Sequence, residues 1–329
     1  MTTETAPTSG AASLSTADEI AGITTESVSP GRQAARRFFQ HKAAVVSTVV
    51  LSIFIIFILL SPITTRYGVN EAAVKISSGK NQFLPPRSAA WFGTDEIGRD
   101  LYSRLIYGVR VSLLLGFIAS LLSVVVGGLV GAVAGLRGGF FDDIVMRVTD
   151  VFLAFPLIVS LLVMRNVLGA LSWLKPVVGP VGSIRFLVIL FTVFGWMGVA
   201  RLVRAQVLSL KEREFIEASR AIGSTGTRIV LRHIIPNSIG PLLVALSLGV
   251  VGVIGSEATL SLFGYGPQPG SGQTSLGLLV GAAKSAVKAG YWWLVVFPIG
   301  VLMLLCLCIS FIGDGLRDAT DPKFSQGRA

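Results

Sequence analysis

This sequence predicts an all-α protein that crosses a membrane six times, and three observations carry the prediction. Hydrophobic residues fill 52% of its 329 positions and charged ones only 14%, with a mean hydropathy of +0.73, a composition foreign to ordinary soluble domains. The apolar residues are gathered into long runs, and about 20 such residues let a helix cross the hydrocarbon of a bilayer. Between the runs, Lys and Arg collect in alternate short segments, the asymmetry that marks cytoplasmic loops.

The net charge of +10 belongs to that asymmetry. The basic residues flank apolar runs and form no patch interleaved with aromatics, so the partner they imply is membrane lipid and not nucleic acid. Cys306 and Cys308 lie two positions apart within one apolar run and face different directions on a helix, which argues against a disulfide or a metal pair. His41 and His233 each sit beside a basic residue, so no metal site is expected.

Taken in order, residues 1–31 are rich in Thr, Ser, Ala and Gly and read as a disordered cytoplasmic tail. They do not read as a signal peptide, because the basic cluster Arg32, Arg36, Arg37 and Lys42 precedes an apolar run that opens only at Ala43. That run, to about Pro62, is the first span, and its basic amino side places the N-terminus in the cytoplasm. An external segment follows to about 107, so 32–107 forms one unit. Within it Thr94–Ile106 is expected to lie on the outer surface as an amphipathic helix, with Asp95 paired to Arg99 and Asp100 to Arg104 at i, i+4.

The core unit, 108–313, holds the other five spans. The second runs from about Val109 to Leu136 and carries Gly127, Gly128, Gly131 and Gly135, small residues that let helices approach closely in lipid. The third covers about Ile144–Arg165 and should bend at Pro156. The fourth is Ile184–Leu202, with Arg185 and Arg201 snorkelling to opposite interfaces. The fifth is Ser238–Leu262, followed by a loop with Gly264, Gly266 and Pro267, and the sixth is Trp292–Gly313. A polar cytoplasmic tail, 314–329, closes the chain, and Asp314 and Asp318 read as capping groups within it. Trp91, Trp173, Trp292 and Trp293 fall near the expected interfaces, as an aromatic belt requires. Glu257 is the lone acid inside an expected span and is a candidate for the translocation path, because an ionisable group there faces the bundle or a water-filled cavity.

Between the fourth and fifth spans lies the longest polar interruption of the second half, about 208–236. Leu208–Ile222 reads as a helix, Gly223 as its stop, Thr225–Ile234 as a second short helix, and Pro236 as the turn into the fifth span. Charge confines this segment to the cytoplasmic face, exposed to partners.

Four motifs in this chain resemble a known family. Glu217, Ala218 and Ser219, then Gly223, then Ile235 and Pro236, look like the EAA motif of ABC importer permeases, with Ser219 in place of the second alanine and Ile235 in place of a leucine. Phe92–Leu113 is similar to the G-T-D-x-x-G-R-D-x-x-S-R signature of the dipeptide and oligopeptide C-type permeases, carried here by Gly93, Thr94, Asp95, Gly98, Arg99, Asp100, Ser103 and Arg104. Residues 232–237 and 312–322 also resemble family segments. Where members carry F-L-G-L-G after the fifth span this chain has Leu262–Gly266 with Tyr265, and where they carry S-W-G it has Ser275, Leu276 and Gly277.

The resemblance implies a type I importer transmembrane fold. It implies a coupling helix with Glu217, Ala218, Ser219, Arg220, Gly223, Ile235 and Pro236 at the ATPase contact. It implies a heteromeric complex in a bacterial cytoplasmic membrane, with a second homologous permease, two cytoplasmic ATPases and an extracytoplasmic binding protein, moving peptides inward. ATP and magnesium would belong to the ATPases, since this chain has no G-x-x-x-x-G-K-[ST] loop. It is therefore expected not to be an enzyme. Nickel complexes or opines are alternative cargoes within the same family. An ion-coupled secondary transporter or channel is the alternative from another class, weakened because six spans show neither inverted repeats nor a set of buried acids.

Overall fold

The computed structural model describes residues 30–65, 67–68, 82–267 and 274–320. The expected N-terminal tail and most of the C-terminal one lie outside the described residues. Helix α1, Pro30–Gln40, leads through His41 into α2, Lys42–Leu59; the His41 ring accepts the Ala44 amide and caps α2. Few α2 residues are buried by the chain: Leu51, Phe54 and Ile58 pack against the core, while Ile53, Ile55, Ile56 and Phe57 stand exposed.

The third helix, α3, runs unbroken from Leu101 to Arg137, about 55 Å at 1.5 Å per residue, well beyond the roughly 30 Å of hydrocarbon. This corrects the expectation of a surface helix over Thr94–Ile106. Residues 93–100 form a compact turn with Gly93 and Gly98 at positive φ, and the helix begins only where Asp100 accepts the Ser103 amide as N-cap. With Asp100 committed to the cap, Arg104 turns to Asp95 instead of to Asp100.

Helix α4, Gly139–Leu153, and α5, Leu157–Ala170, form a pair bent by 99° at Pro156. Helix α6 spans Ile184–Leu210, eight residues past the expected end. Arg201 and Arg204 explain the extension. Arg201 pairs with Asp150, and Arg204 grips Asp142 with two hydrogen bonds, so charge ties the extension of the helix to α4. The glycine stripe works as the sequence suggests but on one face only. A Cβ at Gly127, Gly131 or Gly135 would run into α6 at Trp196, Ala200 or Val207, whereas Gly128 has open space.

Helix α7 is Glu214–Ala221, shorter at its start than expected, and α8 is a continuous 37-residue helix, Gly226–Leu262. Pro236 does not turn the chain. Its missing N–H and its ring disturb the bond to residue 232, and the helix absorbs this by widening into a π turn over Val230–Ile234, with the Asn237 side-chain Nδ2 donating to the His233 carbonyl. Helix α9, Leu276–Ala289, occupies a stretch that the sequence predicts only as loop. Helix α10, Trp293–Thr320, carries Asp314 and Asp318 within its last turns, and Asp318 lies 3.6 Å from His41. Among the described residues five helices are long and apolar enough to span, and the bent α4–α5 pair brings the number to six when counted as one broken span.

Candidate functional site

Three places bring the sequence-predicted residues together. On the polar side, α7 rests on a small apolar core: Ile216 is fully buried with Val203, Val207, Ile229, Val230 and Ile234. That anchor leaves the opposite face free. Glu217 and Ala218 are exposed, Ser219 is buried, and Phe215 and Ile222 stand out, Ile222 at 84% exposure. The Arg220 side chain lies outside the described residues. Gly223 sits at φ +83°, and a methyl group placed on it would meet no atom within 4 Å, so its requirement is conformational and not steric. Helix α7 ends there in a Schellman motif, the Ser224 amide donating to the Ser219 carbonyl. Ile235 packs beside this core and Pro236 is exposed, so Glu217, Gly223 and Pro236 share one end of the molecule.

At the other end, the signature residues form a knot at the head of α3. One Asp95 oxygen accepts the amides of Ile97 and Arg99, the other accepts Arg99 Nε at 2.7 Å and Arg104 Nη1. The Thr94 hydroxyl accepts the Leu84 amide, and the Ser103 hydroxyl donates to Asp100. Gly93 approaches Trp293, whose indole N–H donates to the Thr94 carbonyl. A buried acid with two arginines and two backbone amides is fully satisfied, which makes the knot a frame for this end of the chain.

Between these ends lies a cavity of about 410 Å³, walled by α3, α6, α8 and the α4–α5 break, within the range of small-ligand sites. Its lining includes Ser120, Ser123, Ser256, Gly195, Gly249 and Gly252 and no charged residue. On its knot side, Leu161, Leu187, Leu190 and Leu260 are fully buried and form an apolar closure beside it. Glu257 does not face this cavity. It is fully buried against α9, where the Ser261 and Ser275 hydroxyls donate to one carboxylate oxygen at 2.8 and 2.7 Å. Gly277 lies so close to the carboxylate that a side chain there would collide with it. Ser275 in turn accepts the Leu278 amide and caps α9, so Glu257 ties the end of α8 to the start of α9. The residues that do line the cavity escape sequence reasoning, since serines and glycines in an apolar run look like packing; their signal is the face they share on three helices.

Comparison with known proteins accounts for this arrangement. Residues 127–326 match the family described as binding-protein-dependent transport system inner membrane component, and 29–86 match the N-terminal TM domain of oligopeptide transport permease C. The chain is 32% identical over 308 residues to the dipeptide transport system permease protein DppC of Bacillus subtilis, covering 94% of this chain and 90% of that one. It is 37% identical over 307 residues to the oligopeptide transport system permease protein OppC of Haemophilus influenzae, covering 93% of each. Among solved structures, an inward-facing form of the MetNI methionine ABC transporter superposes with a TM-score of 0.52 at 20% identity, over 66% of this chain and 96% of that one, which speaks to the fold. On these matches, the chain belongs to the family of binding-protein-dependent transport system inner membrane components, with the fold of an ABC importer permease.

Proposed function

We propose that this chain is the C-type permease subunit of an ABC importer for di- or oligopeptides, and that it docks an ATPase through α7 and builds half of the path. One observation carries the reading: the exposed Glu214–Ala221 helix stands beside the foot of the single helix Gly226–Leu262, which also walls the cavity. A push on α7 therefore reaches the cavity through one rigid element. The naming of the relatives as dipeptide and oligopeptide permeases supports peptide cargo, as does a cavity that offers hydroxyls and apolar surface without a fixed charge.

The remaining parts of the complex follow from the same reading. A second permease completes the path, two ATPases bind ATP and magnesium on the cytoplasmic side, a binding protein delivers cargo outside, and both termini of this chain are cytoplasmic. The test is to replace Glu217 or Gly223 by alanine in the assembled complex. Both proteins reach the membrane, and ATP hydrolysis stimulated by the loaded binding protein falls at least tenfold. Stimulated hydrolysis at the parental rate in both variants contradicts the docking role.

A further inference from the structure

Arg165 is a buried cation in the membrane-spanning part of the chain with no acid beside it. It is 9% exposed, its Nε has no hydrogen-bond partner, and no ion pair reaches it among the described residues. An intramembrane arginine is costly unless it is paired or faces a polar path. Here its guanidinium lies over the ring of Tyr265, 4.9 Å from the centroid, a contact that occupies the flat face and leaves the N–H edges free.

The location gives that geometry meaning. Along α5, Leu157 walls the cavity, Leu161 belongs to the apolar closure, and Arg165 follows one turn further out. Along α8, Ser256 walls the cavity, Leu260 belongs to the closure, and Tyr265 follows. Two helices thus give the same order, and they meet at the Arg165–Tyr265 contact, with Arg165 about 12 Å along α5 from Leu157 by helical rise. Tyr265 is held firmly: its amide donates to the Leu260 carbonyl at 2.8 Å and that of Gly264 to Ser261, a Schellman end to α8.

We propose that Arg165, braced by Tyr265, is an entry subsite for the C-terminal carboxylate of a peptide on its way from the binding protein to the cavity. A guanidinium with free edges takes a carboxylate in a two-pronged bond. That carboxylate is the one group every free peptide carries whatever its side chains, and the cavity beyond offers no charge to compete for it. The inference rests on the peptide-importer reading above.

The complete transporter, in vesicles with its own binding protein, is assayed for uptake of a tripeptide and of the same tripeptide amidated at its C-terminus. The parental complex favours the free acid, and Arg165→Gln brings the ratio of the two rates at least tenfold closer to one, while Arg165→Lys, which keeps the charge without the fork, gives an intermediate ratio. Because the binding protein is unchanged, its own preference cancels in the comparison. A ratio in Arg165→Gln equal to the parental one, whatever the absolute rates, overturns the subsite and points to an acidic residue of a partner protein as the group Arg165 meets. Should Arg165→Gln fail to assemble, Tyr265→Leu decides, with a lowered ratio expected and a parental ratio contrary. A parental complex that carries neither peptide overturns the peptide reading itself, and this inference with it.

Discussion

Asp95 shows how much a single carboxylate does in a chain with few charges. Four donors converge on it, two from the backbone and two from arginines, and both Asp95 and Arg104 are buried. Removing one member of a buried pair strands the other charge, at a cost of about 3–5 kcal/mol. Asp95→Ala is therefore expected to lose stability of that order, read as an earlier thermal unfolding midpoint of the purified protein in detergent. Glu96→Ala, one exposed position away, stays within roughly 0.5 kcal/mol of the parent; equal losses in the two variants would show that the knot is not what holds the outer loop. The i, i+4 spacing reveals the Asp95–Arg99 pair, which needs nothing but the local chain. The same rule assigns Arg104 to Asp100, and it fails there because Asp100 is already spent on the amide and hydroxyl of Ser103, a competition that spacing does not show.

Among the elements, α3 and α6 approach closely. Glycines four apart remove the side chains that would hold the helices away, and the backbone of Ala200 settles against Gly131. A methyl group at Gly131 meets that backbone directly, whereas one at Gly128 meets nothing. Gly131→Ala is expected to cost about 1–3 kcal/mol as overpacking, seen as reduced resistance to unfolding in detergent, with Gly128→Ala as the unaffected comparison. Equal behaviour of the two variants would contradict the stripe. The helix periodicity needed for this stripe is plain in the sequence; which of the two adjacent glycines faces α6 is not, because that depends on the rotation of one helix against another. Helix α9 escapes detection for a related reason. Fourteen residues are too few for a span, and its loop-like surroundings of glycine and proline hide a helix whose N-terminus is secured by Ser275 and Glu257.

For the whole molecule the central proposal is mechanical: Gly226–Leu262 acts as one rod from the end beside α7 to the apolar closure at Leu260. Leu231 and Phe263 are exposed near its two ends, about 48 Å apart at 1.5 Å per residue. Spin labels at these positions are expected to keep their separation through the ATP hydrolysis cycle. A change of more than about 5 Å, roughly one helical turn, would mean that the helix bends between the labels and that force does not pass along it as a rod.

The class, five of the apolar spans and the family are legible in the bare chain. Hydropathy is summed over windows of about 20 residues, charge asymmetry is read loop by loop, and the motifs Gly93–Arg104 and Glu217–Pro236 are contiguous, so each is a property of local chain. Which polar groups meet is a matter of tertiary packing: Arg201 with Asp150, Arg204 with Asp142, Glu257 with Ser275 and Arg165 with Tyr265. These partners lie on different elements, up to 100 residues apart in sequence (Arg165 and Tyr265). A polar group away from water takes whichever neighbour the packing of apolar helices brings beside it, and that choice is made by the fold as a whole.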